Sequence, residues 1–306
     1  MEDQSQPLRN VIKEIVRVHL TQKNGLALGQ CLTAVGWVGG TLPELYEADG
    51  MVELSMADVA GGGFAVGAAL AGRRPIYIIR YQGFNWFNAP IILNYACKSK
   101  ELWGKPCPIF IRSIAMEGAI GPVAGSSHHS LYYRMPGVKI VSPMTPGEYS
   151  KAYMDFMNDD DVYYISEHRA AYGNTQELPD VTHDSPDFVL LPISITRFAA
   201  LEAASALNAS GWKVAVHHLC WLKPLKLDPV LLNSVRTAKY GALVLDDDYA
   251  DGIAKQIAFD VCRLTGAKLN VLGLDDRTAG FARHLDNLPP NKEKIIDAVS
   301  RLVKAD

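Results

Sequence analysis

The chain has 306 residues, with 30 Lys+Arg against 33 Asp+Glu and a formal net charge of −3 at pH 7. That balance excludes the bulk positive field that holds nucleic acid or an anionic membrane, and 48% hydrophobic with 21% charged residues excludes a disordered or fibrous chain. No uninterrupted apolar run approaches the roughly 18 residues of a membrane span, and the polar opening MEDQSQPLRN lacks the apolar core of a signal peptide, so a cytoplasmic globular protein is expected.

Short β-branched or aromatic runs alternate with longer helical stretches, the rhythm of an α/β fold with parallel sheets. Strands are predicted at Leu26–Gln30, Met51–Leu54, Pro75–Ile79, Pro108–Arg112, Val138–Ser142 and Val162–Ser166, with helices at Asp58–Ala71, Phe84–Trp103 and Pro146–Asn158. The last begins with proline, whose missing N–H costs nothing in a first helical turn. After Tyr172 the segment GNTQELPDVTHDSPD is rich in turn formers, which places a domain boundary there and predicts domains over 1–180 and 187–306. The alternation then restarts: strand Phe188–Ile193, helix Arg197–Ala209, strand Lys213–His218 and a helix from Pro229. Strand Ala242–Leu245, helix Gly252–Leu264, strand Lys268–Leu272 and helix Lys292–Val303 complete it, a smaller second α/β domain.

Three stretches carry chemistry. In Val52–Ala69 an apolar strand ends, Asp58 stands at the turn, and a helix opens on Gly61-Gly62-Gly63. Asp58 is either a helix cap or a functional carboxylate, and three glycines in a first turn are costly enough to imply close access for a ligand or subunit. Next, Tyr81, Phe84, Trp86 and Phe87 follow a buried strand. They are core packing, or aromatic faces for a planar heterocycle at the carboxyl end of a sheet. Finally, the Gly/Ser loop from Gly118 to Ser130 delivers His128 and His129, which are side chains able to move protons near neutral pH or simply exposed or hydrogen-bonded to the loop, and which lack the i, i+4 spacing of a metal pair.

Other features point less sharply. Glu167-His168-Arg169 reads as a subunit contact or a surface charge cluster, Asp246-Asp247-Asp248 as a solvated strand end in preference to a cation site, and His217 and His218 as structural. The five cysteines (Cys31, Cys97, Cys107, Cys220, Cys262) contain no C-x-x-C pair and are expected to be buried thiols in a reducing compartment.

Together these segments resemble the beta subunit of the thiamine-diphosphate-dependent 2-oxo-acid dehydrogenases, within the transketolase-like superfamily, over nearly the whole chain. The motifs are Phe64-Ala-Val-Gly-Ala-Ala-Leu-Ala-Gly72 with Arg74-Pro75-Ile76, Pro136-Gly-Val-Lys-Ile-Val-Ser-Pro143-Met-Thr-Pro146, Glu167-His168-Arg169-Ala-Ala-Tyr172 and Trp221-Leu-Lys-Pro224-Leu225. The resemblance implies a pyrimidine-binding domain with a parallel sheet followed by a transketolase C-terminal-like α/β domain. It puts Asp58 where the family has the Glu beside N1′ of the cofactor's aminopyrimidine, Tyr81 and Phe84 where aromatics hold that ring, and His129-Ser130 where a His-Ser pair serves substrate binding and acyl transfer. Because the loop after the pair is shorter and Leu131 replaces the family's Gln, His128 is the other candidate for that role. Asp58 is one methylene short, roughly 1.5 Å; the turn brings it closer, a water intervenes, or activation is weakened. Glu53 is an outside candidate for the acid.

A hard cation with oxygen ligands must hold the diphosphate, and the Gly-Asp-Gly…Asn motif for it is missing, since Ala48-Asp-Gly50 lacks the first glycine and the continuation. The resemblance therefore implies that a separate alpha subunit holds Mg²⁺ and the diphosphate, in an α2β2 assembly, with a lipoyl-bearing acyltransferase as a further partner and no metal ligands on this chain. The implied activity is decarboxylation of a 2-oxo acid and transfer of the resulting acyl or enamine unit. The alternatives are half of a split transketolase-like enzyme moving a two-carbon ketol unit, and a non-catalytic partner subunit.

Overall fold

The computed structural model describes residues 6–117 and 125–304, so most of the Gly118–Ser130 loop lies outside the described residues. The chain divides into two units, one running to Met116 and resuming through Glu177, the other taking the chain from Leu178 onward.

The first unit opens with α1 (Leu8–Gln22), which buries Leu8, Ile12, Val16, His19 and Leu20 as one stripe at helical spacing. Six strands follow: β1 (Leu26–Gln30), β2 (Met51–Leu54), β3 (Pro75–Ile79), β4 (Phe110–Ala115), β5 (Val138–Val141) and β6 (Val162–His168). They lie in the order β2-β1-β3-β4-β6-β5 and pair in parallel throughout. β3 and β4 are buried at every position, as strands covered on both faces must be. The order reverses about β1, with β2 on one side and β3 on the other. This is the kind of switch point where open parallel sheets leave a crevice beyond their carboxyl ends.

Helix α2 (Asp58–Leu70) crosses from β2 to β3. The helix expected over Phe84–Trp103 forms as α3 (Asn85–Ile91), a π-helical stretch Ile92–Ala96 and α4 (Cys97–Trp103). Pro90 inside the run removes a backbone donor, and the wider turn follows it. Thr145 caps α5 (Pro146–Met157) by accepting a hydrogen bond from the Glu148 N–H (3.3 Å). Between β1 and β2, Val35–Gly39 form a left-handed turn, with Val35 at φ 54° and Trp37 at φ 56°. Such a turn costs non-glycine residues about 1–2 kcal/mol each, and nothing in the sequence announces it.

In the second unit the parallel strands are β7 (Phe188–Pro192), β8 (Val214–Val216), β10 (Ala242–Tyr249) and β11 (Leu269–Leu274), in the order β11-β10-β7-β8; β9 is the short Trp221–Lys223. Ala200, Ala203 and Ala204 of α6 (Thr196–Ala209) let α9 (Lys292–Lys304) approach with Ile295, Ala298 and Val299 over Phe188, Leu190 and Leu243. The remaining helices are α7 (Pro229–Thr237) and α8 (Ile253–Thr265). Among the described residues no helix is long and apolar enough to cross a membrane.

Two expectations are corrected. Asp246-Asp247-Asp248 is not a solvated strand end: β10 continues through it past an irregularity in its pairing, and all three residues are buried. Their oxygens accept from the Ser194 hydroxyl (to Asp247, 3.0 Å), the Asp248 N–H (to Asp246, 3.3 Å) and the Tyr249 N–H (to Asp248, 2.8 Å). The cysteines are free thiols, but only Cys97 and Cys107 are buried, Cys262 being exposed on the outer face of α8.

Candidate active site

The carboxyl ends of β1, β2 and β3 open into a cavity of about 180 Å³. Asp58, Tyr81 and Phe84 all line it, with Gln30, Cys31, Met56, Tyr77 and Asn88. The strand–turn–helix punctuation explains the convergence: Asp58 is the first residue of α2, and Tyr81 and Phe84 bracket the 3₁₀ turn Gln82–Phe84 after β3. Because β2 and β3 flank β1, both turns end over the same strand.

Among the described residues the Asp58 carboxylate accepts from no N–H of α2. Its Oδ1 accepts instead from Asn88 Nδ2 at 3.0 Å. Asn88 Nδ2 also donates to the Phe84 carbonyl (3.0 Å), and Asn88 Oδ1 accepts from the Tyr77 hydroxyl in a short hydrogen bond. Burial, and then the negative charge of Asp58, push the Tyr77 phenol up, so it stays protonated and donates. The Tyr81 and Phe84 rings lie 6.0 Å apart at 45°, and the Arg80 guanidinium sits 5.5 Å over Tyr81. Trp86 (60% exposed) and Phe87 (55%) are not part of this wall. Glu53 faces elsewhere: its Oε2 accepts from the Thr33 N–H (3.1 Å) and hydroxyl (2.9 Å).

The turn that carries Tyr81 and Phe84 also reaches the histidines. Buried Gln82 accepts at Oε1 from the His128 N–H (2.6 Å) and the Tyr164 hydroxyl (3.0 Å), and its Nε2 donates to Ser166 Oγ (2.9 Å). Asn85 donates to Ser113 Oγ (2.8 Å) and the Tyr164 hydroxyl (3.0 Å). His129 is fully buried, with Nδ1 3.1 Å from Ser166 Oγ. His128 is half-buried, edge-on to Trp86 at 6.4 Å between centroids. Neither histidine lines the cavity of Asp58; the Gln82 network links the two places.

Glu167 is no surface charge. It and Arg112 are buried and paired in fork geometry, Nε to Oε1 at 2.7 Å and Nη2 to Oε2 at 2.9 Å. The Tyr149 and Tyr172 hydroxyls each donate to the carboxylate at 2.7 Å. Burial opposes the charge on Arg112, yet the Glu167 carboxylate holds its guanidinium well above the usual range. His168 caps the following turn, accepting at Nδ1 from the Ala170 N–H (3.2 Å). His217 Nδ1 pairs with Asp180 (3.0 Å), a structural contact in the second unit.

Sequence reasoning missed Tyr77, Gln82, Asn85 and Asn88. The available signal was polar residues, Gln82 and Asn85, interleaved with aromatics immediately after an all-apolar strand.

Residues 19–175 match the family of the transketolase pyrimidine-binding domain. The chain is 30% identical over 297 residues to the beta subunit of acetoin:2,6-dichlorophenolindophenol oxidoreductase from Cupriavidus necator, with 89% of this chain and 86% of that protein covered. It is 27% identical to the beta subunit of 2-oxoisovalerate dehydrogenase from Bacillus subtilis, with 76% of each covered. It is 25% identical to the pyruvate dehydrogenase E1 beta subunit of Rickettsia felis, covering 85% and 86%. Among solved structures, a split-gene transketolase described as an inactive beta4 tetramer superposes with a TM-score of 0.71 at 17% identity, over 97% of this chain and 98% of that one. A transketolase variant from Pichia stipitis gives 0.74 at 13% identity, over 99% of this chain and 47% of that one. These two likenesses concern the fold.

Proposed function

We propose, from the premise that the chain belongs to the transketolase-like family of 2-oxo-acid dehydrogenase beta subunits, that it supplies the pyrimidine half of a thiamine diphosphate site shared with an alpha subunit, in an enzyme that decarboxylates a 2-oxo acid and passes on the acyl unit. The observation that carries the reading is the meeting of Asp58, Tyr81 and Phe84 around one cavity at the sheet's switch point. The donor set suits a nitrogen heterocycle: two aromatic side chains for a wall, and a carboxylate whose Oδ2 accepts no hydrogen bond among the described residues.

Bound there, thiamine diphosphate supplies the carbon nucleophile and electron sink that the decarboxylation of a 2-oxo acid requires. Asp58 would hold a proton at the ring nitrogen, and Tyr81 and Phe84 would orient the ring. Of the two histidines, His129 is fully buried against Ser166, whereas His128 is half-buried beside Trp86, so His128 is the better placed to meet a substrate group and His129 to steady its loop.

The diphosphate and Mg²⁺ belong to the alpha partner in this reading, most simply in an α2β2 assembly. In support, Asp49 of the incomplete Ala48-Asp-Gly50 motif spends its carboxylate on the Tyr46 N–H (3.0 Å). Beside the cavity, Phe64 (62% exposed) stands on the wall of an apolar groove between α2, β1 and β2, and Met56 (77%) before α2 and Val59 (54%) on it are exposed as well, a surface that calls for a covering chain. A lipoyl-bearing acyltransferase as acceptor, and a cytoplasmic location, go with the same reading. Mixing the chain with its alpha partner tests it: dye reduction driven by 2-oxo acids is expected. Turnover with ketose donors alone would replace the reading with ketol transfer, and none with either would leave a non-catalytic subunit.

A further inference from the structure

Asn88 explains a feature the cofactor alone does not. Its amide is buried on α3, and chemistry decides which end points where. The Asp58 carboxylate and the Phe84 carbonyl only accept, so the NH₂ end faces them (3.0 Å each); the protonated Tyr77 hydroxyl donates to Oδ1. Both donor contacts and the acceptor are used, so turning the amide would strand buried polar atoms.

The backbone opposite is shaped for this pair. A Cβ on Gly61 would lie 2.6 Å from the Tyr77 hydroxyl oxygen, and one on Gly62 would lie 3.3 Å from the Asn88 carbonyl and 3.8 Å from its Oδ1, whereas one on Gly63 would meet nothing within 4 Å. The first two glycines of the run, costly in a helix, therefore admit Tyr77 and α3. Asp58 itself stands in the first turn of α2, where a carboxylate ordinarily bends back onto helix N–H groups, yet among the described residues its one side-chain hydrogen bond is to Asn88.

We propose that Asn88, locked by Tyr77, is the positioning residue of the site: it draws the short Asp58 side chain off its own helix and presents Oδ2 to the cavity, making up for the missing methylene. The inference rests on Asp58 being the acid of the function proposed above. Asn88 and Tyr77 also line the cavity, but their polar side-chain atoms are engaged with Asp58, the Phe84 carbonyl and each other, so their part is to act through Asp58.

The test is a double-mutant cycle in the complex reconstituted with the alpha partner, read by calorimetric affinity for thiamine diphosphate with Mg²⁺ and by the split between kcat and KM. Asn88→Ala is expected to lower affinity and kcat about tenfold or more, as loss of a supporting partner does at comparable sites, with KM for the 2-oxo acid within about twofold. In an Asp58→Glu background, where the longer arm needs no brace, the same substitution is expected to cost less than about twofold. Should Asn88→Ala fail to fold, Tyr77→Phe, which deletes only a hydroxyl, runs the same cycle with a smaller loss. Equal losses in both backgrounds, or no loss in either, would overturn the brace. Unchanged affinity and turnover in Asp58→Ala would instead remove the acid, and with it the proposed function.

Discussion

Two carboxylates in the first unit are built in opposite ways. Glu167, at the end of β6, is buried and filled: an arginine fork and two tyrosine hydroxyls occupy its oxygens. Asp58, at the start of α2, has one oxygen held by Asn88 and the other open at a cavity. A carboxylate with every acceptor site taken can only hold the fold together; one anchored on a single side is fixed in direction and free to take a ligand. The resemblance to known beta subunits runs through both residues, yet only their surroundings separate the roles.

The comparison breaks most visibly at Glu167. Glu167→Ala strands a buried guanidinium and is expected to cost about 3–5 kcal/mol of stability, measured by urea unfolding; a loss below about 1 kcal/mol would mean that the pair is solvated. At Asp58 the effects should reverse. Asp58→Ala is expected to lower kcat of the reconstituted enzyme by about 10²–10⁴-fold while leaving the unfolding midpoint of the chain in place, so a large stability loss there would erase the distinction.

A third polar group, His19, sharpens the contrast through pH. Burial, against an opposing hydrogen bond to the Arg74 carbonyl, lowers its pKa to about 4. The carbonyl fixes the proton on Nε2, and Nδ1 accepts from the Tyr153 hydroxyl at 2.9 Å. The unfolded chain takes up a proton below about pH 6.5 and the folded one does not until about 4, so this contribution is complete above pH 6.5 and drains as pH falls toward 4. The loss should come to about 3 kcal/mol, and His19→Gln should flatten that part of the stability–pH curve. The smallest effect is expected at the cavity wall: Tyr81→Ala should weaken thiamine diphosphate binding by about 3–10-fold, the worth of one ring contact, and unchanged affinity would return Tyr81 to packing.

How much of this could be read from residues alone follows the range of the contacts. Asp58, Tyr81 and Phe84 stand at strand ends marked by local punctuation, and parallel order then brings such ends together. Asn88 lies 30 residues from Asp58, and Glu167 lies 55 from Arg112; their pairings depend on which strands become neighbours, which periodicity does not encode. The Asp246–Asp248 run misleads for a related reason: acidic residues imply water, but hydroxyl and backbone N–H donors can take its place inside a sheet. Pro90 signals a disturbance in the helix after Phe84, though not that a π-helical stretch follows rather than a break.

The central claim is that this chain holds the ring of a cofactor whose charged tail another chain grips. Thiamine diphosphate with Mg²⁺, titrated calorimetrically into the chain alone and then into the chain mixed with its alpha partner, tests that directly. The account predicts saturable binding only in the mixture, weakened there by Asp58→Ala; tight, Mg²⁺-dependent binding to the isolated chain would contradict it.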